Sequence, residues 1–175
     1  LPRGFALGYT LQLPEEDTFL ISREKMLSQM QILLGGRIAE ELIFNEVTSG
    51  ASNDIERVTE LAKNFVCKYG MSEKLGARKY GLDSGPIFLG RKMSEQSQDY
   101  SDHIAKEIDA EINALIQEAY QGATKILKKH KNALVEISKV LLVDEVIDGP
   151  KFVELIQAYD SGKVNRVSVK TSGED

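Results

Sequence analysis

Cysteine, histidine and tryptophan are scarce in this sequence, whose 175 residues include one cysteine, two histidines and no tryptophan. Because Cys67 has no second cysteine to pair with, no disulfide can form within the chain, and a reducing compartment fits better than a secreted one. We therefore expect Cys67 to be a small buried apolar residue.

Long apolar runs and an excess of basic charge are also missing. No apolar run reaches the roughly 18 residues needed to cross a bilayer, and no signal peptide opens the sequence, so we expect this stretch of chain to be soluble by itself. The formal net charge is −5, and no cluster of Lys and Arg is interleaved with aromatic residues, which argues against nucleic acid as a partner.

The sequence also lacks the usual catalytic signatures. His103 and His130 lie far apart, and neither belongs to an HExxH motif or another metal-ligand spacing, so both are expected to be surface or helix-end residues. Neither a Gly-x-Ser-x-Gly turn nor a glycine-rich phosphate loop is present. Nucleophilic catalysis and nucleotide binding therefore cannot be argued from these residues.

Hydrophobic periodicity predicts a mainly α fold, a helical bundle with one short β-strand near the N-terminus. Apolar and polar residues alternate over 6–13, which is typical of a strand with one buried face. Helix starts are predicted at the N-capping residues Ser22 and Ser101, at an Asn53–Glu56 capping box and at Pro150. A glycine-rich connection is expected over 70–98, and a further short helix around 134–141. The predicted domain covers 1–160 and is followed by a polar, flexible tail over 161–175.

Charged residues occur where the pattern predicts burial. The second half of the first helix is apolar on all sides and yet contains Arg37, Glu40 and Glu41. An internal ion pair between Arg37 and Glu41, one turn apart, is one way to satisfy two of these charges. Glu40 points elsewhere on the helix and needs another partner, for which a metal-bound imidazole is one candidate.

Asp54 falls in helical register with Val58, Leu61 and Phe65, at the start of the inward-facing stripe of the second helix. One interpretation is an acid in the first turn that is favoured by the helix dipole. The other is a carboxylate that binds a metal ion. A catalytic zinc needs three protein ligands and an open position, and no second obvious ligand lies nearby in the sequence.

A series of ordered motifs resembles the peptidase domain of FtsH-type proteases, and the resemblance covers nearly the whole chain. The motifs are Pro2-Arg3-Gly4, Ala6-Leu7-Gly8-Tyr9-Thr10, Leu13-Pro14-Glu15-Glu16-Asp17, Leu34-Gly35-Gly36-Arg37-Ile38-Ala39-Glu40-Glu41, Thr48-Ser49-Gly50-Ala51-Ser52-Asn53-Asp54-Ile55, Gly70-Met71-Ser72-Glu73-Lys74-Leu75-Gly76 and Phe88-Leu89-Gly90.

The resemblance implies a zinc metalloendopeptidase in which Asp54 is the third zinc ligand and Glu40 is an acid close to the site. The two histidines and the general-base glutamate would come from an HExxH helix shortly before Leu1, so the chain would by itself be catalytically incomplete. The strand residues Gly8, Tyr9, Thr10 and Leu11 would pair with an extended peptide substrate through main-chain hydrogen bonds. A strand that only closes the sheet is the alternative.

The same resemblance implies partners and a location. The substrates would be polypeptides, and the full-length protein would be a hexameric ring with an AAA+ module that binds ATP and Mg²⁺ outside this sequence. Membrane contact would come only through absent N-terminal segments, in the bacterial inner membrane with this domain facing the cytoplasm, or in a mitochondrial or chloroplast membrane. A helical interaction module that has lost catalysis is the competing hypothesis, and the sequence upstream of Leu1 would distinguish the two.

Overall fold

The computed structural model describes residues 21–81 and 99–160, which fall into two compact units. Among these residues, the first unit contains 21–81 and 99–125, and the second contains 126–160. The elements in these ranges are all helical, as the sequence predicts: α1 (Arg23–Phe44), a 3-10 turn (Ser49–Ala51), α2 (Ser52–Lys63), a π-helical segment (Asn64–Lys68), α3 (Asp102–Lys129), α4 (Lys131–Asp144) and α5 (Gly149–Asp160). The predicted strand over 6–13 lies outside the described residues.

Helix α1 begins where the sequence predicts, because the Ser22 side chain accepts a hydrogen bond from the Lys25 N–H at 3.2 Å. Four residues spaced one turn apart are buried along a single stripe: Met26, Met30, Leu34 and Ile38. The prediction that the second half is buried on all sides is wrong, since Ile43 is 38% exposed and Phe44 is 70% exposed. Only one face of this helix is covered, and α1 packs against α2.

Helix α2 begins differently from the prediction. The Asn53–Glu56 capping box does not form, and Ala51 at the N-cap provides no side-chain hydrogen bond. The 3-10 turn precedes α2 directly and is capped by Thr48 instead. The helical run continues through the π-helical segment and stops before Gly70, whose φ of +59° suits glycine.

The core of the first unit is made by α1, α2, the π-helical segment and α3. Helix α3 starts after Ser101, whose side chain accepts from the Ile104 N–H at 3.4 Å, which matches the predicted start. The buried residues of this unit outside α1 are the polar Ser72 and the hydrophobic Ala51, Val58, Ala62, Phe65, Val66, Tyr80, Ile108, Ile112, Leu115, Ala119 and Ala123. Leu61, which the stripe predicts to be buried, is only half-buried because it lies at the margin of the packed face.

The described part of the second unit is built on α4 and α5, which pack against each other. Helix α4 ends at Asp144, and the C-cap residue Glu145 has the left-handed conformation with φ of 59°. Helix α5 begins with Gly149 and Pro150, and the Asp148 carboxylate accepts from the Lys151 N–H at 2.9 Å. The predicted start of the last helix at Pro150 is thus correct to within one residue.

Candidate metal centre

Asp54 lies in the first turn of α2 and is half-buried. Val58, one turn further along, is buried to 1% exposure, whereas the adjacent Ile55 is 39% exposed. Asp54 therefore stands at the margin of the inward face, as its register predicts.

The carboxylate of Asp54 makes no hydrogen bond or ion pair with any residue in the described ranges. It does not cap its own helix, so its oxygens keep their lone pairs for a hydrogen-bond donor or a metal ion. Aspartate oxygen is a usual zinc ligand at about 2.0–2.2 Å. The donor chemistry of Asp54 thus fits one position of a zinc site, although its place near a helix N-terminus also fits the dipole interpretation.

Glu40 is engaged by the loop that leads into α2. Its Oε2 accepts hydrogen bonds from the Thr48 N–H at 3.3 Å and from the Thr48 hydroxyl at 3.1 Å, and the same hydroxyl lies 3.3 Å from Oε1. The Thr48 Oγ1 in turn accepts from the Gly50 N–H at 3.2 Å. Glu40 thus has a clear local partner, while a hydrogen bond from a metal-bound imidazole stays a prediction.

The other two charges of α1 do not form the expected ion pair. No contact joins Arg37 to Glu41 within ion-pair distance in the part of the chain that the structure describes. Glu41 is exposed and accepts a hydrogen bond from the hydroxyl of Tyr120 on α3. This hydrogen bond, followed by burial, raises the pKa of Tyr120 above its ordinary value. Tertiary packing therefore gives Glu41 a partner that the helical spacing did not indicate.

The two histidines are placed away from any ligand cluster. His103 is exposed at the start of α3, with its Nε2 3.8 Å from a carboxylate oxygen of Glu107, and His130 immediately precedes α4. Across 21–81 and 99–160, no group of three or more His, Cys, Asp or Glu side chains could hold a metal ion. Asp54 is therefore a single candidate ligand, and the structure brings no second one to it from these ranges. Strand residues Gly8 to Leu11 lie outside them.

A cleft of about 280 Å³ with both polar and apolar lining lies elsewhere in the first unit, among the start of α1, the turn after the π-helical segment, and α3. Ser72, 6% exposed, donates from its hydroxyl to Glu111 Oε2 at 2.7 Å and accepts from the Leu75 N–H at 3.2 Å. Lys74 lies 4.0 Å from the other Glu111 oxygen. Because these groups satisfy one another, the cleft is explained as an anchor of the turn on α3.

The residue that sequence reasoning missed at the candidate site is Thr48. The signal for Thr48 as a cap is local, since threonine is a common N-cap residue and here precedes Ser-Gly-Ala-Ser. Asn53 was a competing N-cap candidate because it lies closer to the apolar stripe of α2. Its partner Glu40 lies eight residues earlier, on another helix, and no short-range pattern indicates that contact.

Comparison with known proteins identifies the class to which this chain belongs. The family model of peptidase family M41 matches residues 1–155, and the chain belongs to that family. Among curated relatives, it is 51% identical over 162 residues to ATP-dependent zinc metalloprotease FtsH 1 of Conexibacter woesei, covering 93% of this chain and 25% of the relative.

Two further relatives carry the name ATP-dependent zinc metalloprotease FtsH. The protein of Pseudothermotoga lettingae is 47% identical over 158 residues, which cover 90% of this chain and 25% of that protein. The protein of Thermotoga maritima is 45% identical over 157 residues, which cover 89% of this chain and 26% of that protein. The chain thus spans about a quarter of the length of these relatives. No helix within the described ranges combines the length and the apolar character of a membrane span.

Proposed function

We propose that this chain is the proteolytic part of an ATP-dependent, membrane-anchored zinc metalloprotease that hydrolyses peptide bonds of unfolded or damaged proteins. Membership of peptidase family M41 and relatives named as zinc metalloproteases support the reaction class. The observation that carries the assignment of the site is the half-buried Asp54 carboxylate, which has no partner among the described side chains.

In this proposal, Asp54 holds the metal together with two histidines from an HExxH segment outside the 175 residues. When bound there, zinc would supply the Lewis acidity that activates water and polarises the scissile carbonyl. The HExxH glutamate would take the proton from the attacking water. Within this chain, α2 fixes the position of Asp54, because its first turn rests on the buried Ala51 and Val58.

The substrate, the partners and the location follow from the same proposal. The substrate peptide pairs as an added strand with residues Gly8 to Leu11. Because main-chain groups make the hydrogen bonds, this mode of binding accepts many peptide sequences. The full-length protein assembles as a hexameric ring with an AAA+ module that binds ATP and Mg²⁺. It is anchored in a bacterial inner membrane with this domain in the cytoplasm, or in an organelle membrane. The peptidase domain covers residues 1–160, and 161–175 form a tail.

The test compares two acids that both lie in the first turn of a helix. Asp54 is in the first turn of α2 and Asp102 is in the first turn of α3, so both interact with a helix dipole. In the full-length protein, we expect Asp54→Ala to lose stoichiometric zinc and peptidase activity while keeping its helical circular dichroism. Asp102→Ala should keep both.

Zinc content measured by mass spectrometry and casein hydrolysis give the two readouts. Full zinc and full proteolysis in Asp54→Ala would refute the assignment of the ligand. A wild-type protein that binds no zinc at all would favour the competing hypothesis, a helical interaction module without catalysis.

A further inference from the structure

The loop between α1 and α2 is fixed by a continuous series of hydrogen bonds. The Gly50 N–H donates to the Thr48 hydroxyl oxygen, and that hydroxyl donates to the Glu40 carboxylate, which also accepts from the Thr48 main chain. Each donor polarises the next, and the final acceptor is a carboxylate, which strengthens such a series. We call this set of three residues the Glu40–Thr48–Gly50 clamp.

The clamp controls the entry into α2. Thr48 has extended backbone angles, φ −101° and ψ 168°, and its side chain caps the 3-10 turn, whereas the N-cap of α2 itself provides no side-chain hydrogen bond. Ala51, at the end of the turn, is buried. Thr48 is therefore the side chain that fixes where the helical run begins.

Asp54 has no comparable restraint of its own. Because its carboxylate has no partner in the described ranges, its place is set by the backbone of the first turn of α2. A metal ligand is effective only when it is held in the geometry that the metal requires, and groups that orient ligands contribute strongly to affinity. The restraint on Asp54 therefore comes through the backbone of α2 and of the turn before it.

We propose that Thr48, held by Glu40, is a positioning residue that sets where Asp54 presents its carboxylate to a divalent cation. The proposal rests on the proposed function, because it takes Asp54 as a zinc ligand. It gives Glu40 a role in the site that acts through the loop, by way of its contact with Thr48.

The experiment uses the full-length protein with Thr48→Val, which keeps the shape and removes the hydroxyl. The matched control is Thr59→Val. The Thr59 hydroxyl donates to the Ile55 carbonyl at 2.9 Å within α2 and takes no part in the clamp. Zinc affinity is measured by competition with a chromophoric chelator, and the ligand geometry by the visible absorption spectrum of the Co²⁺-substituted protein.

We expect Thr48→Val to weaken zinc binding by about 10–100-fold and to alter the Co²⁺ spectrum. Thr48→Ser, which restores the hydroxyl, should return to within about threefold of the wild type, as should Thr59→Val. Glu40→Gln should weaken zinc binding as well. The double variant of Glu40→Gln and Thr48→Val should lose little more zinc affinity than the single variant that binds zinc more weakly, because both changes break the same contact.

Wild-type zinc affinity and an unchanged Co²⁺ spectrum in Thr48→Val would overturn the proposal, provided that Asp54→Ala loses zinc in the same assay. If Asp54→Ala also keeps its zinc, the proposed function itself fails. Additive losses in the double variant would show that Glu40 and Thr48 act separately and would equally overturn the clamp. If Thr48→Val does not fold, Glu40→Gln tests the same contact.

Discussion

Two isoleucines of α1 give a direct test of which face of that helix holds the first unit together. Ile38 is 1% exposed and Ile32 is 56% exposed, although both belong to the same helix and both lie in apolar sequence. Replacing each by alanine removes the same groups and changes helix propensity by the same few tenths of a kcal/mol. The difference in free energy of unfolding between the two variants therefore reports the burial of the isoleucine side chains alone.

For Ile38→Ala, the lost methyl and methylene groups contribute about 0.8 kcal/mol each in transfer free energy. The cavity that remains brings the expected cost to about 2–5 kcal/mol. For Ile32→Ala, more than half of the side chain is already in water, so the loss should not exceed about 1 kcal/mol and is partly offset by the better helix propensity of alanine.

Urea unfolding of the 175-residue chain, followed by far-UV circular dichroism, measures both values. We expect a lower midpoint for Ile38→Ala with an unchanged m-value, and a midpoint close to that of the unmodified chain for Ile32→Ala. Free energies of unfolding that agree between the two variants to within about 0.5 kcal/mol would refute the assignment of the buried face.

Three further outcomes follow from the titrating groups and the glycines. Burial is the largest cause that raises the pKa of Cys67 above the ordinary value of 9.0. Iodoacetamide should therefore alkylate Cys67 more slowly than a free thiol at about pH 8, and the midpoint of the pH profile of alkylation should lie above 9.0. An alkylation rate equal to that of a free thiol would contradict this. The hydrogen bond to Glu41 raises the pKa of Tyr120, so the folded state holds this proton more tightly and the stabilisation is lost as the pH rises from about 10 upward. In Glu41→Gln, the pKa of the Tyr120 phenol should return towards its ordinary range. The titration is followed by tyrosinate absorbance, with Tyr120→Phe as the control. Gly70→Ala should lower the free energy of unfolding by about 1–2 kcal/mol because φ is positive and a Cβ would crowd backbone atoms at 3.1–3.3 Å, whereas Gly36→Ala, a helical position with open space, should raise it by about 0.5–1 kcal/mol; equal effects in urea unfolding would contradict the geometry.

Local chemistry in the sequence was sufficient to predict the starts of α1 and α3. Ser22 and Ser101 each accept a hydrogen bond from an N–H three residues later, so the signal and its effect lie within one turn. The register of Asp54 was also predictable, because the apolar spacing of α2 repeats with the helical period. The ordered motifs were enough to place the chain in its family.

Tertiary structure decided which apolar and charged residues find partners. Glu41 meets Tyr120, which lies 79 residues away in the chain, and Glu40 meets Thr48 on the next element. Ile38 and Ile32 belong to equally apolar segments, yet only one of them faces the packed side. Helical spacing fixes which side chains share a face, but the covered face is set by where other helices pack, and that information lies in residues distant in the sequence.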